Sequence, residues 1–186
     1  MSTMRQARVL LVDDRRENLV ALEAILQGMP VSSVPVTSGE GALKKLLTEE
    51  FAVILLDAQM PGMDGFETAQ HIKQREATRH TPIIFLTAAD KDSHMAFRGY
   101  AAGAVDYITK PFDPWALRAK VSIFVDLWSL KEKSKSELAR MSSVASERDR
   151  LQGLAAEALR ILREGSSDQP PEYIAKALSL LSEAVD

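Results

Sequence analysis

Four short apolar runs along the chain each stop at a polar or charged residue. Residues 9–12 precede Asp13, 51–56 precede Asp57, 83–86 precede Thr87, and 105–108 precede Lys110. Hydrophobicity in these runs is largely continuous rather than alternating, which predicts strands buried on both faces, as in a parallel sheet. A weaker fifth run, 31–36, holds two serines and Pro35, and belongs near an edge where proline is tolerated. Between the runs, apolar residues recur at spacings of three and four: Leu19, Leu22, Leu26; Ala42, Leu43, Leu46, Leu47; Phe66, Ala69, Ile72; Met95, Ala96, Gly99, Ala102. That is the buried stripe of a helix. Thr37 with Glu40 and Asp64 with Glu67 fit capping boxes, Asp113 before Pro114 fits an N-cap, and Gly103 fits a C-terminal stop. Strand and helix alternating over about 110 residues predict an α/β fold, a doubly wound parallel sheet with right-handed crossovers.

A fifth helix beginning at Pro114 has no evident stop. From Leu127 a seam runs through Leu130, Ser134, Glu137, Met141, Val144, Arg148, Leu151, Ala155, Ala158 and Leu162. Eight of these eleven positions are apolar, which makes residues 129–164 a helical extension and a candidate coiled coil. A helix from 114 to 162 would reach about 70 Å at about 1.5 Å per residue. Residues 165–171 (GSSDQPP) have linker composition, and 172–186 form a short amphipathic helix carrying Ile174, Ala177, Leu178, Leu181 and Val185 on one face. The body before them, residues 1–128, is one domain.

Composition narrows the function. With 186 residues, no cysteine and three histidines, the chain is neither a disulfide scaffold nor a thiolate metal site. Its 23 basic against 26 acidic residues show no excess for nucleic acid, which argues against DNA binding. No apolar run approaches the roughly 20 residues of a membrane span, and a cytoplasmic protein is expected.

The chemistry sits where the strands end, because open α/β sheets bind ligands outside the carboxyl ends of their strands. Asp13, Asp14, Asp57, Thr87 and Lys110 would converge there. Three carboxylates together repel one another unless a cation joins them, and an all-oxygen set favours a hard ion such as Mg²⁺. A carboxylate can also act as a nucleophile toward phosphorus. His71, His80 and His94 lack ligand spacing and read as solvated. Trp115 and Trp128 read as packing residues of the fifth helix.

The segments VLLVDD, VILLDAQMPGMDGFE, PIIFLTA and GAVDYITKPFDP closely resemble the receiver domain of two-component response regulators, over about residues 8–130. The resemblance implies a flavodoxin-like strand order 2-1-3-4-5. It implies that Asp57 is phosphorylated by a histidine kinase, and that Asp14, Asp57 and the Gln59 carbonyl hold Mg²⁺ directly, with Asp13 acting mainly through water. Lys110 would pair with the phosphoryl group, Thr87 would hydrogen-bond to it, and Tyr107 would turn inward as the Thr87 loop closes. The Lys110-Pro111 peptide would be cis. Gln59 and Ala89 match variable positions that affect phosphate lifetime.

Two rivals remain. An RNA-binding antitermination regulator would need a three-helix unit, and only 21 residues follow Gly165. An aspartate-based phosphatase would need a second Asp two residues after the nucleophile, where Gln59 stands, so a true enzyme is not expected. The reading is a phosphorylation-dependent switch acting through protein association. It would form a homodimer through the face of helix four, strand five and helix five, through the coiled coil, or both, with an unidentified downstream protein as partner.

Overall fold

The computed structural model describes residues 6–88 and 105–164, together with Lys176 and Ser179. Five parallel strands, β1 (Ala7–Val12), β2 (Val31–Val36), β3 (Val53–Asp57), β4 (Ile83–Ala88) and β5 (Asp106–Lys110), form one sheet in the order β2-β1-β3-β4-β5. This is the flavodoxin-like order. Helices α1 (Arg16–Leu26), α2 (Gly39–Thr48) and α3 (Gly65–Gln74) connect the first four strands, and the long helix α4 (Pro114–Glu164) follows β5. The helix predicted around Met95, together with Gly103, Ala89 and His94, lies outside the described residues. The long helix is therefore the fifth of the sequence prediction and the fourth described.

The continuous apolar runs have a direct cause. Alternate strand residues point to opposite faces, and both faces are covered. Val9, Leu11, Val53, Leu55, Ile84 and Leu86 pack with Leu19, Leu22 and Leu26 of α1 and with Leu117, Val121 and Val125 of α4. Leu10, Val12, Ile54, Leu56, Ile83 and Phe85 pack with Ala42, Leu46, Phe66, Ala69 and Ile72 of α2 and α3. Each fully buried large side chain contributes about 1.5–3 kcal/mol. β2 is an edge strand with only β1 beside it, and its Pro35 is exposed, as its weak pattern predicted.

Several local expectations are corrected. Asp57, Thr87 and Lys110 lie inside their strands rather than just past them. The cap of α2 is Ser38, whose Oγ accepts from the Gly41 N–H at 3.1 Å, so the helix starts one residue later than a Thr37 cap would place it. The Asp64 cap of α3 is present, accepting from the Glu67 N–H at 2.8 Å. Leu47 is exposed, because the buried stripe of α2 runs through Ala42 and Leu46 and the next residue turns about 100° away. Trp115 is 84% exposed rather than packed. It sits two residues before buried Leu117, about 200° around the first turn, on the side away from the core. Trp128 does pack against the core.

The chain divides into two compact units between Lys131 and Glu132. In the second, Leu138, Met141 and Val144 are exposed, whereas Ala158 is only 1% exposed. Arg160, hydrogen-bonded at 2.7 Å, holds the Glu157 carboxyl below its usual range, with a smaller effect from the charge of Lys176, itself helical. No described helix is long and apolar enough to cross a membrane.

Candidate functional site

Strand register fixes which side chains share the carboxyl-end rim. Asp13 and Asp14 follow directly on β1, and Asp57 closes β3. Asp57 pairs with Leu86, which places Thr87 one step further along the neighbouring strand, and Lys110 pairs with Ala88 at the end of β5. Carboxylate oxygens of Asp13, Asp14 and Asp57 all lie within 4.8 Å of one another. The Lys110 ammonium reaches from β5 to bridge two of them, at 2.8 Å from Asp13 Oδ2 and 2.9 Å from Asp57 Oδ2. The Lys110-Pro111 peptide is cis.

Asp57 is 6% exposed, and its Oδ1 accepts a long bond of 3.3 Å from the Gln59 N–H. Burial pushes its carboxyl above the ordinary value of 3.8, against the opposing pull of Lys110, and the nearby Asp13 charge adds to the rise. Burial alone would lower Lys110, but hydrogen bonds and charge from Asp13 and Asp57 outweigh it and hold the ammonium above its ordinary value. Three carboxylates against one ammonium leave two negative charges in a small, oxygen-only cluster. A single divalent cation would cancel them, and oxygen donors suit a hard ion.

Two residues at the rim carry roles that sequence reasoning missed. Asn18, in the first turn of α1, donates from Nδ2 to both oxygens of Asp13, at 2.8 Å and 3.0 Å. Its spacing of five from Asp13 matches no metal or phosphate motif. Gly65 stands against the backbone of Asp57: its N–H donates to the Ala58 carbonyl at 3.1 Å, and a Cβ there would lie 2.1 Å from the Asp57 carbonyl oxygen. The GMDG segment held that signal, since a close approach of backbone to backbone calls for glycine. Gly62, with φ of 76°, makes the turn that brings the loop back. Tyr107 is 43% exposed on β5, and His71 and His80 are exposed, as expected of solvated residues.

The response regulator receiver domain model matches residues 9–122. The chain belongs to this family. As a receiver it is 35% identical over 180 residues to the response regulator PleD of Caulobacter vibrioides, a match covering 94% of this chain and 38% of PleD. The chain thus spans well under half the length of that relative, and the match runs on into the long helix. Among solved structures, the receiver superposes on a response regulator from Chloroflexus aurantiacus with a TM-score of 0.62 and 31% identity, covering 66% of this chain and 99% of that one. It also superposes on the receiver domain of a Pseudomonas aeruginosa sensor histidine kinase (TM-score 0.59, 28% identity, 64% of this chain and 98% of that one). That domain carries magnesium coordinated in its active-site cleft.

Proposed function

We propose that this receiver is a phosphorylation-controlled switch of the cytoplasm whose output is protein association. The observation that carries the reading is the Lys110 ammonium bridging buried Asp13 and Asp57 beside Asp14. An Asp57 carboxylate oxygen attacks the phosphorus of a kinase phosphohistidine. The new O–P bond forms as the N–P bond breaks, and the imidazole leaves with the bonding electron pair. Asp14, Asp57 and the Gln59 carbonyl would hold Mg²⁺ directly and Asp13 through water, and the ion would supply charge neutralisation at the phosphoryl oxygens. Lys110 releases Asp13 to pair with the phosphoryl group, and Thr87 donates its hydroxyl to the same group.

The added charge then draws in the Thr87 loop, and Tyr107 turns from its exposed position toward the space vacated. In this reading residues 1–128 are the receiver, 129–164 a transmitting helix that pairs as a coiled coil, 165–171 a linker and 172–186 a short helix. Homodimerisation uses the coiled coil, the face built from the predicted fourth helix, β5 and the start of α4, or both. The exposed Leu127, Leu130, Met141 and Val144 along one seam support the pairing, since lone helices rarely leave such a stripe in water. A downstream protein reads the altered dimer, and the receiver itself catalyses only its own phosphorylation and dephosphorylation.

The test is incubation with phosphoramidate and Mg²⁺, followed by intact-protein and peptide mass spectrometry. One phosphoryl adduct mapping to Asp57, absent from Asp57→Ala, is expected. An adduct elsewhere, or none with any donor, would overturn the reading. Sedimentation with and without beryllofluoride checks the output separately, and an unchanged oligomer would remove the link between phosphate and association.

A further inference from the structure

Asp13 is the most heavily engaged acid of the rim. It is fully buried, its Oδ1 accepts from the Arg15 N–H at 2.9 Å and from Asn18 Nδ2 at 2.8 Å, and its Oδ2 accepts from Asn18 Nδ2 at 3.0 Å and from Lys110 Nζ at 2.8 Å. Only one of these donors is charged, and it is shared with Asp57. Asp57, by contrast, has a single weak donor besides Lys110.

We infer that Asn18 is a positioning residue that keeps the Asp13 carboxylate oriented toward the cation pocket, both while Lys110 holds the other side of that carboxylate and after it is drawn away to the phosphoryl group. The inference rests on the function proposed above and deepens it. With Lys110 gone, a buried carboxylate held by one backbone N–H alone would be free to rotate, because an ionised group out of water needs its hydrogen bonds. The Asn18 amide spans both oxygens and resists rotation about the bond that would move them. As a neutral donor it adds no positive charge to repel a divalent ion, which an arginine or lysine at this position would do. Its place in the first turn of α1 fixes it to an element whose Leu19 and Leu22 are locked in the core. Lys110 aside, no other side-chain donor reaches Asp13 among the described residues, so neither Arg15 nor Arg16 offers a substitute.

Calorimetric titration of the full chain with Mg²⁺ alone, at constant ionic strength, tests the inference without any turnover. The wild type is expected to bind one ion. Asn18→Ala is expected to bind it roughly threefold to tenfold more weakly, the scale of the net contribution of one ordinary hydrogen bond. Asn18→Asp, which removes the donor and adds a fourth carboxylate, separates orientation from charge. Restored or tightened binding in that variant would mean that negative charge, not the amide's grip, is what the position supplies, and would overturn the inference. Circular dichroism and thermal unfolding of each variant accompany the titration. Unchanged Mg²⁺ affinity in a folded Asn18→Ala protein would overturn the inference while leaving the switch intact, since a purely structural asparagine would alter stability and not affinity. If Asn18→Ala does not fold, Asn18→Ser, which keeps a shorter donor, replaces it, and wild-type affinity there together with wild-type affinity in Asn18→Asp would be equally fatal. A wild type that binds no Mg²⁺ would overturn both this inference and the proposed function.

Discussion

Gly65 and Gly153 place the same residue in two very different settings. At Gly65 a methyl group would meet the Asp57 carbonyl oxygen at 2.1 Å and the Ala58 Cα at 2.9 Å, whereas at Gly153 nothing lies within 4 Å. The first unit is closely packed around its rim, with backbone against backbone. The second, along residues 132–154, is a helix whose Leu138, Met141 and Val144 remain in water. Apolar residues recur at spacings of three and four in both, with Ser134, Glu137 and Arg148 interrupting the seam of the long helix. Periodicity therefore shows that a residue has a partner-seeking face, and the connected neighbours of the α/β body supply that partner within the chain, while the helix finds none among its own described neighbours at these three positions.

The largest expected effect follows from this contrast. Gly65→Ala should destabilise the receiver by about 3 kcal/mol or more, since the clash is with backbone and cannot be relieved by a side-chain rotation. Chemical denaturation measures it, and loss of phosphoryl incorporation at Asp57 should accompany it. A stable, phosphorylatable Gly65→Ala protein would show that the loop has slack that the close approach denies. Next in size is Leu55→Ala, in the centre of the sheet, expected to cost about 2–5 kcal/mol. Val144→Ala, on the exposed seam, should change monomer stability by less than about 0.5 kcal/mol and act instead on association at high protein concentration. If Val144→Ala cost as much as Leu55→Ala in dilute monomer, the two regions would not differ as described. Gly153→Ala should then raise stability of the helical unit by up to about 1 kcal/mol, opposite in sign to Gly65→Ala, because alanine is the better helix former and the site is open.

Much of the body was legible because its strands are buried on both faces, so Val53, Ile54, Leu55 and Leu56 had to be apolar without a break. The rim acids were legible because polar residues at the ends of such runs have few structural reasons to be there. The strand order came from the family resemblance rather than from the pattern. What failed was local and geometric. Thr37 and Ser38 are adjacent hydroxyl residues, and only the extended backbone at Ser38 decides which one caps α2. Trp115 lies in a helix with a clear apolar stripe, but at an angle to it that places the ring in solvent. Asn18 could not be read because its role depends on α1 turning back over the end of β1, a tertiary fact with no repeating spacing. Regular elements thus announce themselves in a sequence, whereas side chains that act across an element boundary do so only once the boundary is placed.

A pH-dependent effect sharpens the comparison within the rim itself. Burial raises the Asp57 carboxyl above 3.8, the opposite of the usual stabilising ion pair. Between 3.8 and its folded value the native state binds more protons at this site than the unfolded chain, so this group's contribution to stability falls as pH rises through that window. At neutral pH, in chelator, the ionised Asp57 therefore works against folding, and Asp57→Asn should raise stability. Lowering the pH through the window protonates the wild type and should shrink that advantage. Saturating Mg²⁺ should reverse the ranking, because an ion that binds the native wild type more tightly stabilises it by mass action. Thermal unfolding of both proteins across pH, with and without Mg²⁺, gives four curves. An Asp57→Asn protein less stable than wild type in chelator at neutral pH would mean that Lys110 compensates the buried Asp57 charge fully.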